Sequence, residues 1–305
     1  VMGPTASGKT DLAIALQAHL PVELINVDSA QIYRQLDIGS AKPDKATLAA
    51  APHRLIDILD PLESYSAADF IADATREMAE ISSRGKIPLL VGGTIMYFHA
   101  LQFGLSELPA TNDKIRQQIE EEMQLKGVAA LHDRLSTIDA TAAARIHPND
   151  RQRIQRALEV FDNTGSTLTA WQQKPKSTRD DLDIHAWGLF PEDRVWLHQN
   201  IEQRFDWMLD HGAVEELQAL RKNWTLSPDM SSMRCIGYRQ IWSYLEGDIT
   251  YADMREQGIA ATRQLAKRQL TWLRSYPKVE LIDPAIQPIT QLAEQISCNL
   301  PASNC

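Results

Sequence analysis

The sequence predicts an α/β fold in which helices flank a parallel sheet and an all-helical insertion interrupts the core. In the first hundred residues, short apolar runs alternate with helical patterns, which is typical of parallel strands connected by helices. From residue 113 to about 135 the pattern changes to charged amphipathic helices without a useful strand candidate. We therefore expect a core domain over residues 1–106 and 184–305, and a helical insertion domain over residues 107–183.

Helix caps, chain breakers and apolar runs locate the individual elements. Ser66 and Asp69 form a capping-box pattern before a helix that Gly85 ends, and Gly165 ends a later helix. The predicted helices cover residues 67–84, 95–103, 113–135, 151–161 and 251–276, and one more follows residue 10. The predicted strands cover residues 22–27, 87–91 and 184–190, and residues 179–181 are expected to form a polar linker.

A phosphate-binding loop occupies residues 3–10, which match the pattern G-x-x-x-x-G-K-[ST]. Its glycines let consecutive backbone N–H groups surround phosphate oxygens at a helix N-terminus. The pattern predicts a P-loop NTPase-like core that binds a nucleotide or a pyrophosphate; an ordinary loop is the alternative. The predicted binding residues are Gly3, Pro4, Thr5, Ala6, Ser7, Gly8, Lys9 and Thr10, with Lys9 at the far phosphate and Thr10 on magnesium.

The strand expected before this loop is nearly absent, since only Val1 and Met2 precede Gly3. We therefore expect that the sequence starts late or is a fragment.

A second polar cluster, residues 28–33, follows the strand predicted over residues 22–27. Here Asp28 can accept a proton from an exocyclic amine, Gln31 can pair with a purine edge and Tyr33 can stack on a base. A helix cap or an indirect role at magnesium is the alternative for Asp28, and loop packing is the alternative for the whole cluster. Lys42 is expected near the same rim, with a solvated turn as its alternative.

The strand predicted over residues 87–91 ends in Gly92-Gly93-Thr94. Ligands of open parallel sheets bind at the carboxyl ends of the strands, so we expect Asp28, Ser29 and Thr94 on the side of the phosphate loop. A plain strand-to-helix turn is the alternative. The strand lacks the terminal aspartate that holds magnesium in ordinary nucleotide hydrolases, which disfavours an ATPase.

The composition is that of a folded globular protein, with 305 residues and a formal net charge of −9. This charge argues against a protein that coats itself in nucleic acid, but arginine clusters at residues 151–156, 234–239 and 263–268 allow a basic groove on an acidic body. With no apolar run of about 18 residues and no signal-peptide pattern, we expect a cytoplasmic protein. The cysteines, Cys235, Cys298 and Cys305, indicate neither a disulfide framework nor a metal site.

The order and spacing of these motifs resemble those of the bacterial tRNA dimethylallyltransferases, over almost the whole chain. Ser40 stands where that family commonly has threonine, and it keeps the hydroxyl; the missing first strand is a second departure. The similar segments are residues 3–10, 27–33, 37–43, 60–61, 65–70, 91–94, 150–151, 156–159, 236–240 and 262–269.

The resemblance implies transfer of a dimethylallyl group from dimethylallyl pyrophosphate to N6 of the adenosine immediately 3′ of the anticodon, position 37. The tRNAs would be those reading codons that begin with U, and the products N6-(dimethylallyl)adenosine and pyrophosphate. It implies Mg²⁺ as the cofactor, bound by Thr10. The implied catalytic residues are Asp28, as the base, and Lys9, Thr10, Thr94 and Arg116, which would stabilise the departing pyrophosphate.

The resemblance also implies that the chain binds the tRNA anticodon stem-loop, over which the helical insertion would close. The implied contacts are Asp28, Ser29, Ala30 and Gln31; Gln152, Arg153, Ile154, Gln155 and Arg156; Met233, Arg234, Cys235, Ile236, Gly237, Tyr238 and Arg239; and Arg263 and Lys267. No membrane and no obligate protein partner is implied, and we expect a monomer.

Two other functions stay open on the sequence. A P-loop kinase for a nucleoside or another small metabolite would bind ATP in the loop and use Asp28 to deprotonate a hydroxyl. An RNA-binding module with a vestigial loop would bind RNA without forming a product.

Overall fold

The computed structural model describes residues 1–106, 108–110, 112–174 and 182–299. The chain divides into two compact units, one made of Val1–Ala100 and Asp181–Cys305 and the other of Leu101–Asp180. The sequence placed the borders at residues 107 and 184, and the role of the insertion in RNA binding stays a prediction. The linker predicted over residues 179–181 and Cys305 lie outside the described residues.

Helices make up most of the regular structure of the described residues. The helices are α1 (Lys9–Gln17), α2 (Lys45–Ala50), α3 (Ala67–Ser83), α4 (Ile95–Phe103), α5 (Asp113–Ile138), α6 (Ala140–Arg145), α7 (Arg151–Thr164), α8 (Leu168–Gln172), α9 (Arg194–Asp210), α10 (Ala213–Asn223), α11 (Tyr238–Leu245), α12 (Tyr251–Arg274) and α13 (Ile289–Asn299). The strands are β1 (Val22–Asn26), β2 (His53–Arg54), β3 (Ile87–Val91), β4 (Ala186–Leu189) and β5 (Val279–Ile282). Across the described ranges, we find no helix with the length and apolar character needed to span a membrane.

Three of the strands were predicted and two were not. The predictions of β1, β3 and β4 are confirmed to within two residues at either end. Strand β2 has only two residues, and β5 exposes its two central residues, so neither has the apolar run by which a buried strand is recognised. The predicted helices are also confirmed, and Gly127 breaks the regular backbone inside α5 with a φ of 81°.

The sheet of the first unit places the ends of β1 and β3 side by side. The order is β2-β1-β3, all parallel, and Asn26 at the end of β1 pairs with Val91 at the end of β3. A second parallel pair is β4-β5, and Met2 bridges Gly92 beyond β3 and Gly188 in β4. The chain thus enters the phosphate loop between the two sheets, at the edge where β1 and β3 end.

Local capping explains where the main helices begin. The Ser66 hydroxyl accepts a hydrogen bond from the Asp69 N–H at 3.2 Å, and the Asp69 carboxylate accepts one from the Ser66 N–H at 2.9 Å. This confirms the predicted capping box, which satisfies two N–H groups that a helix start leaves unpaired. Gly165 ends α7 in the left-handed conformation with a φ of 71°.

Each unit has its own apolar core. In the first unit, one cluster packs α1 and α13 against β1, β3 and β4, and a larger one gathers the chain after β1 with α9, α10, α11 and α12. In the second unit, α5, α6, α7 and α8 enclose a separate cluster that includes Leu131 and Leu158. The phosphate loop belongs to the first unit, so that unit contains the site described next.

Candidate active site

The phosphate loop is closed by its own hydrogen bonds. The buried Ser7 hydroxyl donates to the Pro4 carbonyl at 2.8 Å, and Ala6 and Gly8 adopt φ angles of 61° and 84°. A Cβ on Gly3 would lie 2.8 Å from the Ser7 hydroxyl oxygen, so only glycine fits there without a shift. Helix α1 begins at Lys9, so the last two residues of the loop are already helical, and the first N–H groups of the helix form a site for an anion.

Lys9 turns back onto this loop. Its Nζ donates a hydrogen bond to the Pro4 carbonyl at 2.6 Å. The pKa of Lys9 is lowered to about 7, mainly by burial and also by the positive charge of Arg204, while the charge of Asp28 opposes both effects. Two cations held together in a partly buried site favour an anionic ligand, because the ligand's charge offsets their mutual repulsion.

Arg204 on α9 is a residue of this site that the sequence pattern does not indicate. Burial lowers the pKa of its guanidinium, while the charges of Asp28 and Asp11 act in the opposite direction. Nothing in the local pattern distinguishes it from other arginines on amphipathic helices. Only the packing of α9 brings its charge close enough to act on both Lys9 and Asp28.

Asp28 uses one carboxylate oxygen in a turn and keeps the other unpaired. Its Oδ1 accepts hydrogen bonds from the N–H groups of Ala30 at 2.8 Å and Gln31 at 3.4 Å. Within the described ranges, no protein donor bonds to Oδ2. No helix begins at Asp28, so its carboxylate closes a turn and does not cap a helix, and one oxygen stays able to accept a proton.

Thr94 joins the ends of β1 and β3. Its hydroxyl oxygen accepts a hydrogen bond from the Ser29 N–H at 3.1 Å, and its own N–H donates to the Val27 carbonyl at 3.1 Å. A Cβ on Gly92 would lie 2.0 Å from the Val27 carbonyl oxygen, so this close approach of the two strands requires glycine. The structure thus brings Thr94 beside the segment that carries Asp28.

Gln269 on α12 connects the phosphate loop with the end of β3. Its buried side chain accepts a hydrogen bond from the Thr5 N–H and donates one to the Gly93 carbonyl. Gln269 lies in one of the segments that resemble the family, residues 262–269, but the resemblance assigns it no role. A glutamine in the last turns of a long helix gives no sequence signal for a partner more than 170 residues away in the chain.

In the segment after β1, side chains that the sequence suggested for ligand binding are used for packing and for internal hydrogen bonds. The Tyr33 ring is 2% exposed and packs in the core, so the expected base stacking by Tyr33 is not supported. The Lys42 side chain is 3% exposed and binds the Tyr33 carbonyl at 2.9 Å and the carboxylates of Asp37 and Asp57. Gln31 donates its side-chain N–H groups to the carbonyls of Ser40 and Ala41, which leaves its side-chain oxygen for a ligand.

Three of the expected tRNA contacts have side chains that lie in the protein interior. Ile154 and Tyr238 are fully buried, and so is Met233. In this conformation these side chains can support a tRNA-binding surface from the interior, but they cannot contact the RNA themselves. Gly237 is also buried, and the remaining expected contact residues are exposed or partly buried. They are Gln152, Arg153, Gln155 and Arg156 in the second unit, and Asp28, Ser29, Ala30, Gln31, Arg234, Cys235, Ile236, Arg239, Arg263 and Lys267 in the first.

Several of the expected basic residues are held by acidic neighbours. In the second unit, the buried Glu159 carboxylate pairs with Arg116 at 3.6 Å and with Arg156 at 3.4 Å. In the first unit, Arg263 pairs with Glu202 at 2.9 Å.

Burial and the charge of Asp28 raise the pKa of the Cys235 thiol to about 12, so this thiol stays protonated near neutral pH.

A magnesium ion would find a hard oxygen ligand at Thr10. Its hydroxyl has no hydrogen-bond partner in the part of the chain that the structure describes, and it follows Lys9 in the first turn of α1. The same described ranges contain no group of three or more histidine, cysteine or acidic side chains that could hold a metal. The donor set fits Mg²⁺, which keeps several waters and binds through few protein oxygens together with phosphate.

An anion-binding loop that faces a carboxylate with a free oxygen defines an enzyme acting on a phosphorylated or pyrophosphorylated substrate. Comparison with known families makes this class specific. The model of the family described as IPP transferase matches residues 31–276, and that of the isopentenyl transferases matches residues 1–59. The chain belongs to the IPP transferase family, whose members transfer prenyl groups, and this confirms the resemblance seen in the sequence.

Solved structures agree with this assignment. The chain is 36% identical to the full-length tRNA isopentenylpyrophosphate transferase of Bacillus halodurans, with 97% of this chain and 94% of that chain covered and a TM-score of 0.70. It is 33% identical to the tRNA delta(2)-isopentenylpyrophosphate transferase of Staphylococcus epidermidis, with 97% and 96% covered and a TM-score of 0.69. It is 25% identical to a eukaryotic dimethylallyltransferase acting on tRNA, with 99% and 79% covered and a TM-score of 0.77.

These matches decide between the functions that the sequence left open. They support the prenyl transferase and give no support to the kinase. They also confirm the P-loop NTPase-like core with its parallel sheet and many helices.

Proposed function

We propose that this protein transfers a dimethylallyl group from dimethylallyl pyrophosphate to N6 of adenosine 37, next to the anticodon of tRNAs that read codons beginning with U. The observation that carries the proposal is the free Oδ2 of Asp28, close enough to Lys9 and Arg204 for its charge to act on both. A proton acceptor and an anion site belong together in a reaction that deprotonates an amine and releases pyrophosphate.

The reaction forms one bond and breaks another. The N6 nitrogen attacks the allylic carbon that carries the pyrophosphate, a C–N bond forms, and the C–O bond breaks with its electron pair going to the pyrophosphate. An exocyclic adenine amine is a poor nucleophile, so a positioned base contributes strongly. Oδ2 of Asp28 takes the N6 proton, and the Ala30 N–H holds the carboxylate in place through Oδ1.

The departing pyrophosphate gains negative charge, which the loop N–H groups, Lys9 and Arg204 stabilise. Lys9 exchanges its bond to the Pro4 carbonyl for one to the ligand. Magnesium, held by Thr10, would supply further charge neutralisation when bound. We also include Thr94 and Arg116 among the catalytic residues. Thr94 contributes through its bond to Ser29, in the segment that carries Asp28. Arg116 belongs to the second unit, where its side chain is paired with Glu159.

The tRNA is bound through its anticodon stem-loop. The target base is stacked in the loop and must be extruded, which costs a few kcal/mol that contacts to neighbouring nucleotides offset. The exposed Arg153, Arg234, Arg239 and Lys267 suit phosphate contacts, and the side-chain oxygen of Gln31 suits a base edge. We propose that the reaction takes place in the cytoplasm and that the active protein is a monomer.

The test is a transfer assay with magnesium, labelled dimethylallyl pyrophosphate and unmodified tRNA. We expect label on the adenosine at position 37, identified by nuclease digestion, and no label on a matched tRNA with guanosine at that position. ATP-dependent phosphorylation of a small metabolite without label transfer would overturn the proposal in favour of the kinase. RNA binding without either product would instead support the binding module.

A further inference from the structure

Glu216 on α10 accepts four hydrogen bonds from two separate segments. Its Oε2 accepts from the N–H groups of Asp37 at 3.0 Å and Ile38 at 2.7 Å. Its Oε1 accepts from the Gly39 N–H at 3.0 Å and from the Tyr238 hydroxyl at 2.6 Å. An ionised carboxylate offers about four acceptor sites, so these donors satisfy Glu216 completely.

The two segments also touch each other directly. A Cβ on Gly39 would lie 2.7 Å from the Cζ atom of the Tyr238 ring, so the ring packs on the bare glycine backbone. The hydroxyl of the same ring then reaches Glu216, and burial with the Glu216 charge raises the pKa of this phenol well above its ordinary value. Residues 37–39 and the start of α11 therefore form one packed unit around a single carboxylate.

This unit lies beside side chains that we expect to contact tRNA. Residues 40 and 41, which directly follow Gly39, hold the Gln31 side chain through their carbonyls at 3.4 Å and 3.0 Å. Arg234 and Arg239 are exposed on either side of the buried Gly237 and Tyr238. The Lys42 ammonium makes a second contact to this unit, since it binds the carboxylates of Asp37 and Asp57 and the Tyr33 carbonyl.

We propose that Glu216 is a positioning residue for tRNA binding, which holds residues 37–39 against Tyr238 so that Gln31, Arg234 and Arg239 are presented on one surface. This inference rests on the proposed function. Three consecutive N–H groups that lost their acceptor would each need another partner, and the loop would gain freedom. The RNA would then have to order that loop on binding, and the lost preorganisation weakens affinity. The phosphate loop shares no hydrogen bond with Glu216, so binding of the prenyl donor is unaffected.

The experiment compares Glu216→Gln with Glu215→Gln in the full chain. Both substitutions remove one negative charge from the same turn of α10, but Glu215 is exposed and bonds to none of these donors. Glu216→Gln keeps one acceptor oxygen, and its amide nitrogen would point N–H groups at the donors that the other carboxylate oxygen had bound. We expect the dissociation constant of an anticodon stem-loop RNA with adenosine at position 37 to rise about tenfold in the first variant and to stay unchanged in the second. Dimethylallyl pyrophosphate, measured without RNA, should bind both variants like the wild type.

Each outcome decides between specific possibilities. If wild-type protein does not transfer the prenyl group, the proposed function fails; if it does and Glu216→Gln binds RNA normally, only this inference fails. Equal weakening of RNA and of the prenyl donor would show a general structural role and overturn the inference. Tyr238→Phe is the second variant, needed if Glu216→Gln does not fold, because it removes one bond and keeps the ring on Gly39. It should weaken RNA binding less than tenfold without changing donor binding; no change would also overturn the inference.

Discussion

Gln269 and Thr5 are joined by a hydrogen bond of 2.9 Å from the Thr5 N–H to the side-chain oxygen of Gln269, and the same side chain donates to the Gly93 carbonyl at 2.8 Å. One buried amide thus holds the phosphate loop against the strand end that leads to Thr94. Because the Thr5 N–H donates to Gln269, this bond helps to hold the loop in its conformation. The geometry of the anion site therefore depends on α12, a helix that is not part of the phosphate loop.

Replacing Gln269 with alanine should therefore loosen the phosphate loop. Two hydrogen bonds are lost, each contributing about 0.5–1.5 kcal/mol, and the Thr5 N–H is left without its acceptor. We expect affinity for dimethylallyl pyrophosphate to fall by about tenfold, with smaller changes in RNA affinity. The matched control is Gln264→Ala on the exposed face of α12, and equal donor affinity in both variants would contradict this role.

Asp28→Asn should remove the base and keep the turn. The asparagine oxygen can still accept from the Ala30 N–H, but the amide cannot take a proton from N6. We expect single-turnover prenyl transfer to slow by about 10²–10⁴-fold, while tRNA affinity stays within about tenfold, or roughly 1.4 kcal/mol. Asp11→Asn removes a carboxylate that also acts on Arg204 and should transfer at the wild-type rate. Wild-type rates in Asp28→Asn would exclude Asp28 as the base.

Binding of the prenyl donor should take up a proton above neutral pH. The pKa of Lys9 is about 7 in the free protein, so at about pH 8 this lysine is largely neutral. A bound pyrophosphate favours the charged form and raises the pKa, so Lys9 gains a proton on binding. Donor affinity should consequently fall as the pH rises through the free pKa and stay nearly constant below it.

Calorimetry in two buffers of different ionisation enthalpy measures this proton directly. We expect uptake of up to one proton per donor at about pH 8 and much less from Lys9 at about pH 6. Lys9→Arg is the control, because arginine stays charged throughout this range and should abolish the uptake. An unchanged uptake in Lys9→Arg would show that another group supplies the titration.

Glu159→Gln should destabilise the second unit through the arginines that share this carboxylate. The Glu159 side chain is 6% exposed, whereas those of Arg116 and Arg156 are 55% and 32% exposed, so solvent screens part of each pair. We expect a loss of about 1 kcal/mol in the free energy of unfolding, measured by chemical denaturation of the full chain. Glu120→Gln breaks a pair with Arg151 that is exposed at both ends, and it should cost less. An equal loss in both variants would show that burial of Glu159 has no influence.

The sequence by itself determined the phosphate loop and the two strands whose ends flank it. Apolar runs located β1 and β3, and the parallel connection of these strands requires their carboxyl ends to share one edge of the sheet. The sequence alone therefore predicts that Asp28 and Thr94 lie near the phosphate loop. Capping is also local, since Ser66 and Asp69 bond to each other and are only three positions apart in the sequence.

Only the tertiary structure decided which distant side chains complete the site. A helical pattern shows which face is apolar, but it does not show which element packs there, so Arg204, Gln269 and Glu216 had no sequence signal for their partners. The same reason explains the burial of Tyr33 and Lys42, whose side chains looked available for a ligand. Interactions between neighbours in the sequence could be predicted. Interactions between residues about 200 positions apart depend on how the helices pack, so they required the fold.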